Sequence, residues 1–249
     1  MTLKHFTRTA PLFLMVAIGI AASAALFTTV QHLERARAKA RFLQVADQRL
    51  DAVRVKVSCA LCTVNLFRSY FSASPKSAFD RRGFKTFVAP ALAKQGCIRA
   101  LEWIPRVTRK ERPRYERLAR TDGVRNFAFR QRTANGVMAV AGPRDQYFPV
   151  FYVEPLAGNE PAVGFDLASE QVHLAALNKA RDTGELTATA PVELVLDKSR
   201  QLGMLVFVPV YRSPQANSIS ARRESFVGFA LGVFRIGDLV STMDMDSKS

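Results

Sequence analysis

The sequence predicts an α+β protein: an N-terminal transmembrane helix, a long stalk helix behind it, and then a domain of short helices and antiparallel strands. Three observations carry this. Residues 10–30 hold 21 consecutive positions without a charge, and apolar residues then recur every seven positions as far as Phe71. Beyond residue 95, short β runs alternate with turn signals and two helical stretches.

Residues 10–30 are long enough to cross a hydrocarbon layer of ~30 Å as a helix. Lys4 and Arg8 precede them within a cytoplasmic N-terminus at residues 1–9. Arg35, Arg37, Lys39 and Arg41 follow, so charge alone orients the segment weakly. Ala22-Ser23-Ala24 resembles a signal-peptide cleavage site, which is the competing reading. Apolar residues continue past it to Val30 without a polar region, which favours a retained anchor. Either reading puts the remainder outside the cytoplasm.

Residues 31–74 are predicted as the stalk helix. Ala36, Leu43, Leu50, Val57, Val64 and Phe71 form one heptad column, with Ala46, Val53, Ala60 and Phe67 beside it. The helix would be ~60 Å long at 1.5 Å per residue and stop before Ser74-Pro75. Such a stripe serves a helix packed along its own domain, a homodimer seam that carries motion to the membrane, or both.

In the mixed region, residues 97–104 read as a strand. Thr108 and Glu111 have capping-box spacing, but Pro113 moves the start of regular helix towards Arg112, and Asp122-Gly123 ends it after Thr121. Residues 127–132 and 137–140 flank Asn135-Gly136, a strong hairpin signal. Residues 147–153 read as a strand closed by Pro155 and Gly158. Asp166 or Ser169 can cap a second helix that ends at Gly184. Residues 186–196, 202–211 and 226–235 read as three further strands. This order suggests α+β rather than a doubly wound sheet, with a composition like that of PAS modules.

Charge is uneven. The net value is +15, and residues 61–133 hold 17 Lys or Arg against 5 Asp or Glu, whereas residues 134–249 hold 10 against 13. The basic stretch reads as a solvated, arginine-rich surface, because no zinc-finger spacing, aromatic RNA-binding signature or arginine tail points to nucleic acid. Three cysteines exclude a dense disulfide framework. Cys59-Ala60-Leu61-Cys62 lies inside the helical pattern without a second pair or a nearby His, so it reads as packing rather than metal or redox chemistry, and one bridge to Cys97 is open in an oxidising compartment. No metal or cofactor is expected.

Several stretches together resemble the CHASE sensory domain of bacterial receptor kinases and diguanylate cyclases and of plant cytokinin receptors. They are Ala100-Leu101-Glu102-Trp103-Ile104-Pro105-Arg106-Val107, Tyr147-Phe148-Pro149-Val150, Glu154-Pro155-Leu156-Ala157-Gly158-Asn159 and Gly164-Phe165-Asp166-Leu167. Ala180-Arg181-Asp182-Thr183-Gly184, Pro209-Val210-Tyr211 and Gly232-Val233-Phe234 continue the series, and the resemblance covers residues 75–240, with 241–249 as a tail. It implies a long helix followed by two PAS-like modules, the second incomplete here, with a small ligand in the membrane-distal one and signal relayed to a cytoplasmic enzyme.

Carrying the plant receptors' pocket across, the purine-contacting acid falls at His173, the pocket threonine at Thr189, a backbone contact near Val195 and a second threonine at Phe207. An imidazole offers one donor and one acceptor where a carboxylate only accepts, so a cytokinin is not the expected ligand. Tyr147, Phe148, Phe151 and Tyr152 alternate around a strand, one face of which would line the pocket; Tyr147, Phe148 and Tyr152 join the candidate ligand-binding residues. The expected partners are a small molecule, adenine-like or anionic, the membrane, and a second copy of the chain.

Family members carry a second span and a signalling enzyme. No later segment is long and apolar enough to span: residues 226–240 contain Arg235 and Asp238. Phosphate-loop, nucleophile-elbow and zinc-protease motifs are likewise missing from the sequence. The chain is therefore expected to be non-enzymatic, either part of a longer receptor or a truncated gene product, with an incomplete second module exposing a sheet edge. The rival expectation is a membrane-anchored dimerising protein that has lost sensing.

Overall fold

The structure, a computed structural model, describes residues 6–73, 80–94, 96–194, 202–212 and 217–241. The chain divides into two compact units, Met1–Ala52 and Val53–Ser249.

In its described part, the first unit is a stretch of helix α1 (Phe6–Ala73). Leu14, Met15, Ile18, Leu26 and Phe27 are all exposed on it. Among the described residues, α1 is the one helix long and apolar enough to cross a membrane. Leu43 and Leu50 of the heptad column are exposed too.

The second unit opens with the remainder of α1, where the stripe changes character. Ala60, Val64 and Phe67 are buried, with Val57 and Leu61 packed against the same core. Their spacing of three and four places them on one helix face. Cys59 and Cys62 fall off that face and are exposed, so the expectation that they pack is corrected; neither they nor the buried Cys97 form a disulfide.

Helix α2 (Arg81–Lys94) was not foreseen, because Gly83 and Pro90 argue against it. Asp80 starts it by accepting a hydrogen bond from the Gly83 N–H at 2.7 Å. Phe84 and Val88 then bury one face. The Phe84 ring lies 5.3 Å from that of Phe67 and 5.5 Å from that of Tyr152, tying α1 and α2 into one layer.

Strands β1 (Ile98–Pro105) and β2 (Val107–Thr108) lead to α3 (Arg112–Thr121). Glu111 reaches back to the Thr108 N–H at 3.0 Å, and regular helix begins after it, as Pro113 requires. The hairpin is β3 (Arg130–Arg132) with β4 (Met138–Val140), turning through Gly136 at φ 79°. The single strand expected at 147–153 is instead two, β5 (Gln146–Tyr147) and β6 (Tyr152–Glu154). The reason is Asp166, whose carboxylate accepts from the Phe148 N–H at 2.8 Å and draws the intervening residues off the ladder.

Asp166 caps only a short turn at Leu167–Ser169; helix α4 (Gln171–Thr183) starts from Glu170 and ends on Gly184, left-handed at φ 78°. Strands β7 (Thr187–Ala188) and β8 (Val192–Glu193) replace the one strand expected there. The long strands β9 (Leu202–Tyr211) and β10 (Phe226–Arg235) are joined through α5 (Ile219–Ser225), and α6 (Ile236–Ser241) follows. Ser218 caps α5, accepting from the Ala221 N–H at 3.1 Å.

The main sheet is antiparallel, in the order β6-β1-β10-β9-β7, with β8 also on β9. The ladders β2–β5 and β3–β4 have two strands each. Register assigns the main sheet's faces. Leu101 pairs with Gly232 and Trp103 with Ala230 and Tyr152, on the side where α1 lies against Gly232. Glu102, Leu231, Val233, Leu205 and Phe207 alternate to the other side. That side is covered by α4 and the segments around Phe148 and Phe165.

Candidate ligand pocket

The face away from α1 holds a cavity of about 30 Å³. Its apolar lining includes Val150, Phe165, Leu167, Leu205 and Val233, contributed by the sheet and by the segment that crosses it. Leu194 closes another part of the wall, its side chain 2.4 Å from where a Cβ on Gly203 would stand, so only glycine at 203 admits it. A volume of ~10–15 Å³ accommodates one water, so the cavity has room for a few heavy atoms.

Two buried polar side chains line this apolar space. Glu102 comes from β1, a strand paired on both sides, and is 3% exposed. Burial pushes its carboxyl up to about 8, so near neutral pH it holds its proton and can donate. His173, also 3% exposed, comes from α4, and neither ring nitrogen has a hydrogen-bond partner. Its Nδ1 lies 3.4 Å from Glu170, which in turn lies 3.6 Å from Arg132. Burial lowers the His173 pKa, opposed by Glu170, leaving a neutral imidazole with one donor and one acceptor. Buried polar groups are normally satisfied, so an unpartnered imidazole beside a buried carboxyl at one cavity marks a place for a ligand or water.

The other predicted site residues are distributed differently. Phe207 and Phe148 lie on the cavity side of the sheet but pack against the Phe229 ring, edge-on at 5.6 Å and tilted at 5.8 Å, as core. The Thr189 hydroxyl is occupied, accepting from the Leu205 N–H at 3.1 Å. Tyr147 is fixed elsewhere: its hydroxyl donates to the Gly142 carbonyl at 3.0 Å and accepts from the Arg144 N–H at 2.8 Å. Tyr152 faces α2, beneath the Arg81 guanidinium at 5.2 Å, with its hydroxyl on Asp122 and its pKa raised by burial. Val195 lies outside the described residues. The aromatic strand face expected to line the pocket is thus corrected to Val150 alone, because the ladder breaks between Tyr147 and Tyr152.

Beside the cavity, Asp166 is fully buried and organises the crossing segment. It accepts from the Phe148 N–H, the Ala168 N–H and Arg144, whose other nitrogen reaches Gln131 at 2.9 Å. Burial raises its pKa against those hydrogen bonds.

The fold is an antiparallel sheet domain behind a long N-terminal helix, with a small, partly polar cavity on one sheet face. The particular family follows from comparison: the CHASE domain model matches residues 77–248, and the chain belongs to that family. CHASE domains are extracytoplasmic sensory domains of signal-transduction receptors. A curated relative, hybrid signal transduction histidine kinase A of Dictyostelium discoideum, is 24% identical over 208 residues, covering 80% of this chain and 10% of its own length. The chain therefore spans about a tenth of that kinase.

Proposed function

We propose that this chain senses a small molecule outside the cytoplasm for a membrane receptor, anchored by the apolar part of α1 and relaying occupancy of the Glu102–His173 cavity through α1 to a cytoplasmic output module. The observation that carries the reading is the pair of buried polar side chains at one cavity, Glu102 from β1 and His173 from α4, the latter without a hydrogen-bond partner on either ring nitrogen. Such groups cost stability unless something supplies their hydrogen bonds. A ligand doing so would stabilise one packing of α4 against the sheet, which is the differential affinity that signalling needs. Exposed Leu43 and Leu50 supply a seam for a second copy.

The test is a thermal-shift screen of the full chain in nanodiscs against small metabolites. Stabilisation that disappears in His173→Ala supports the reading; no stabilisation by any compound in a folded sample overturns it. One observation favours the rival, an anchored dimerising protein without sensing: the cavity is only about 30 Å³. That rival predicts a concentration-dependent dimer with no ligand response.

A further inference from the structure

Resting on the sensory reading, the geometry points to a primary ammonium group on a small apolar body as the ligand's recognised part, held by Glu102 and His173. The argument is one of charge and donor count. Among the described residues, the ionisable groups lining the cavity are Glu102, His173 and the exposed Glu193, and no lysine or arginine joins them. Glu170 adds a further carboxylate 3.4 Å from His173 Nδ1 and is itself paired with Arg132 at 3.6 Å. In a chain of net charge +15, this pocket is locally acidic.

An anion entering it would lose its hydration beside carboxyl groups while Arg132 is already engaged by Glu170, which the low-dielectric interior opposes. A neutral amide would satisfy both polar side chains but form no charge-assisted bond. An ammonium carries three donors and no acceptor. A Glu102 carboxylate accepts one of them and the free nitrogen of a neutral His173 another, both short, strong, charge-assisted contacts. The remaining wall of Val150, Phe165, Leu167, Leu205 and Val233 suits one or two carbon atoms.

The protons balance in a specific way. Glu102 is protonated in the empty pocket near pH 7. Binding R–NH₃⁺ converts the carboxylic acid to carboxylate and releases its proton to solvent, with net charge in the pocket unchanged. Uptake of amine is therefore coupled to loss of up to one proton, and affinity rises with pH until the ligand itself deprotonates.

The full chain in nanodiscs is melted at pH 7 with methylammonium chloride, sodium acetate or acetamide, each against sodium chloride of equal ionic strength. Methylammonium is expected to raise Tm, Glu102→Gln to remove that rise, and His173→Ala to weaken binding about tenfold. Titration calorimetry in two buffers of different ionisation heat is expected to show proton release in the wild type and none in Glu102→Gln. Melting of Glu102→Gln at pH 5, where the native carboxyl is protonated, checks that the variant is folded. Stabilisation by acetate or acetamide in preference to methylammonium, lost in His173→Ala, overturns the amine assignment and leaves the sensory reading standing. No response to methylammonium in a folded sample also overturns the assignment, and the sensory reading falls only if the broader metabolite screen fails as well.

Discussion

Val64 of α1 lies directly over Gly232 of β10, its Cγ2 2.6 Å from where a Cβ on that glycine would stand. The α1 backbone approaches the sheet this closely because position 232 has no side chain. Gly232→Ala is expected to push the helix outward and cost about 1–3 kcal/mol. Val64→Ala in the same chain should recover part of the loss, and a double-mutant cycle of chemical unfolding would measure it. Strict additivity would show that this contact does not fix the helix on the sheet.

Glu102 makes stability depend on pH with a definite sign. Its ordinary value is 4.5 and the buried value about 8, so between these the native state keeps a proton that the unfolded chain has released. The contribution is fully present below about 4.5 and is lost as pH rises towards 8; the whole effect is at most about 5 kcal/mol. His173 works in the opposite direction. Its pKa is lowered, so the stability it contributes is present above its ordinary value of 6.5 and lost as pH falls below that. Glu102→Gln should abolish the alkaline decline and retain the acidic one, read as Tm across pH 5 to pH 9.

These two residues also show what could be read from sequence. The long strands β9 and β10, the Gly184 cap and the start of α3 at Arg112 follow from alternation, αL geometry and the position of Pro113. Helix α2 was hidden because its stability comes from Phe84 and Val88 packing on neighbours, which overrides Gly83 and Pro90. Glu102 is the one carboxylate in the run Ile98–Pro105, where Arg99 is the other charge, and it becomes informative once β1 is known to be paired on both sides. The break between β5 and β6 depends on Asp166, eighteen residues from Phe148, and periodicity has no access to a partner that distant.

Asp166 should be the most sensitive polar position near the cavity. Asp166→Ala strands the Phe148 and Ala168 N–H groups and removes the partner of Arg144, an expected loss of about 2–4 kcal/mol by chemical denaturation. Arg144→Ala should cost less, because the Arg144 side chain is 31% exposed and solvent can replace its contacts. If Arg144→Ala proved the more damaging, the organising role would belong to the Arg144–Gln131 hydrogen bond instead.

Leu194 sets the size of the cavity, since its side chain occupies the space left open above Gly203. Truncation to alanine removes three carbons from a buried wall residue and should destabilise the chain by about 2–4 kcal/mol, partly through the void created. The same void is a larger binding space. A series of alkylammonium ions from one to four carbons, measured by thermal shift, should favour the shortest members in the wild type and longer ones in Leu194→Ala. Gly203→Ala has the opposite geometry: the new methyl displaces Leu194 without deleting it, so binding should fall for every chain length. An unchanged length preference in Leu194→Ala would mean that the wall collapses inward, and that the cavity's size is set by α4 and the sheet rather than by this side chain.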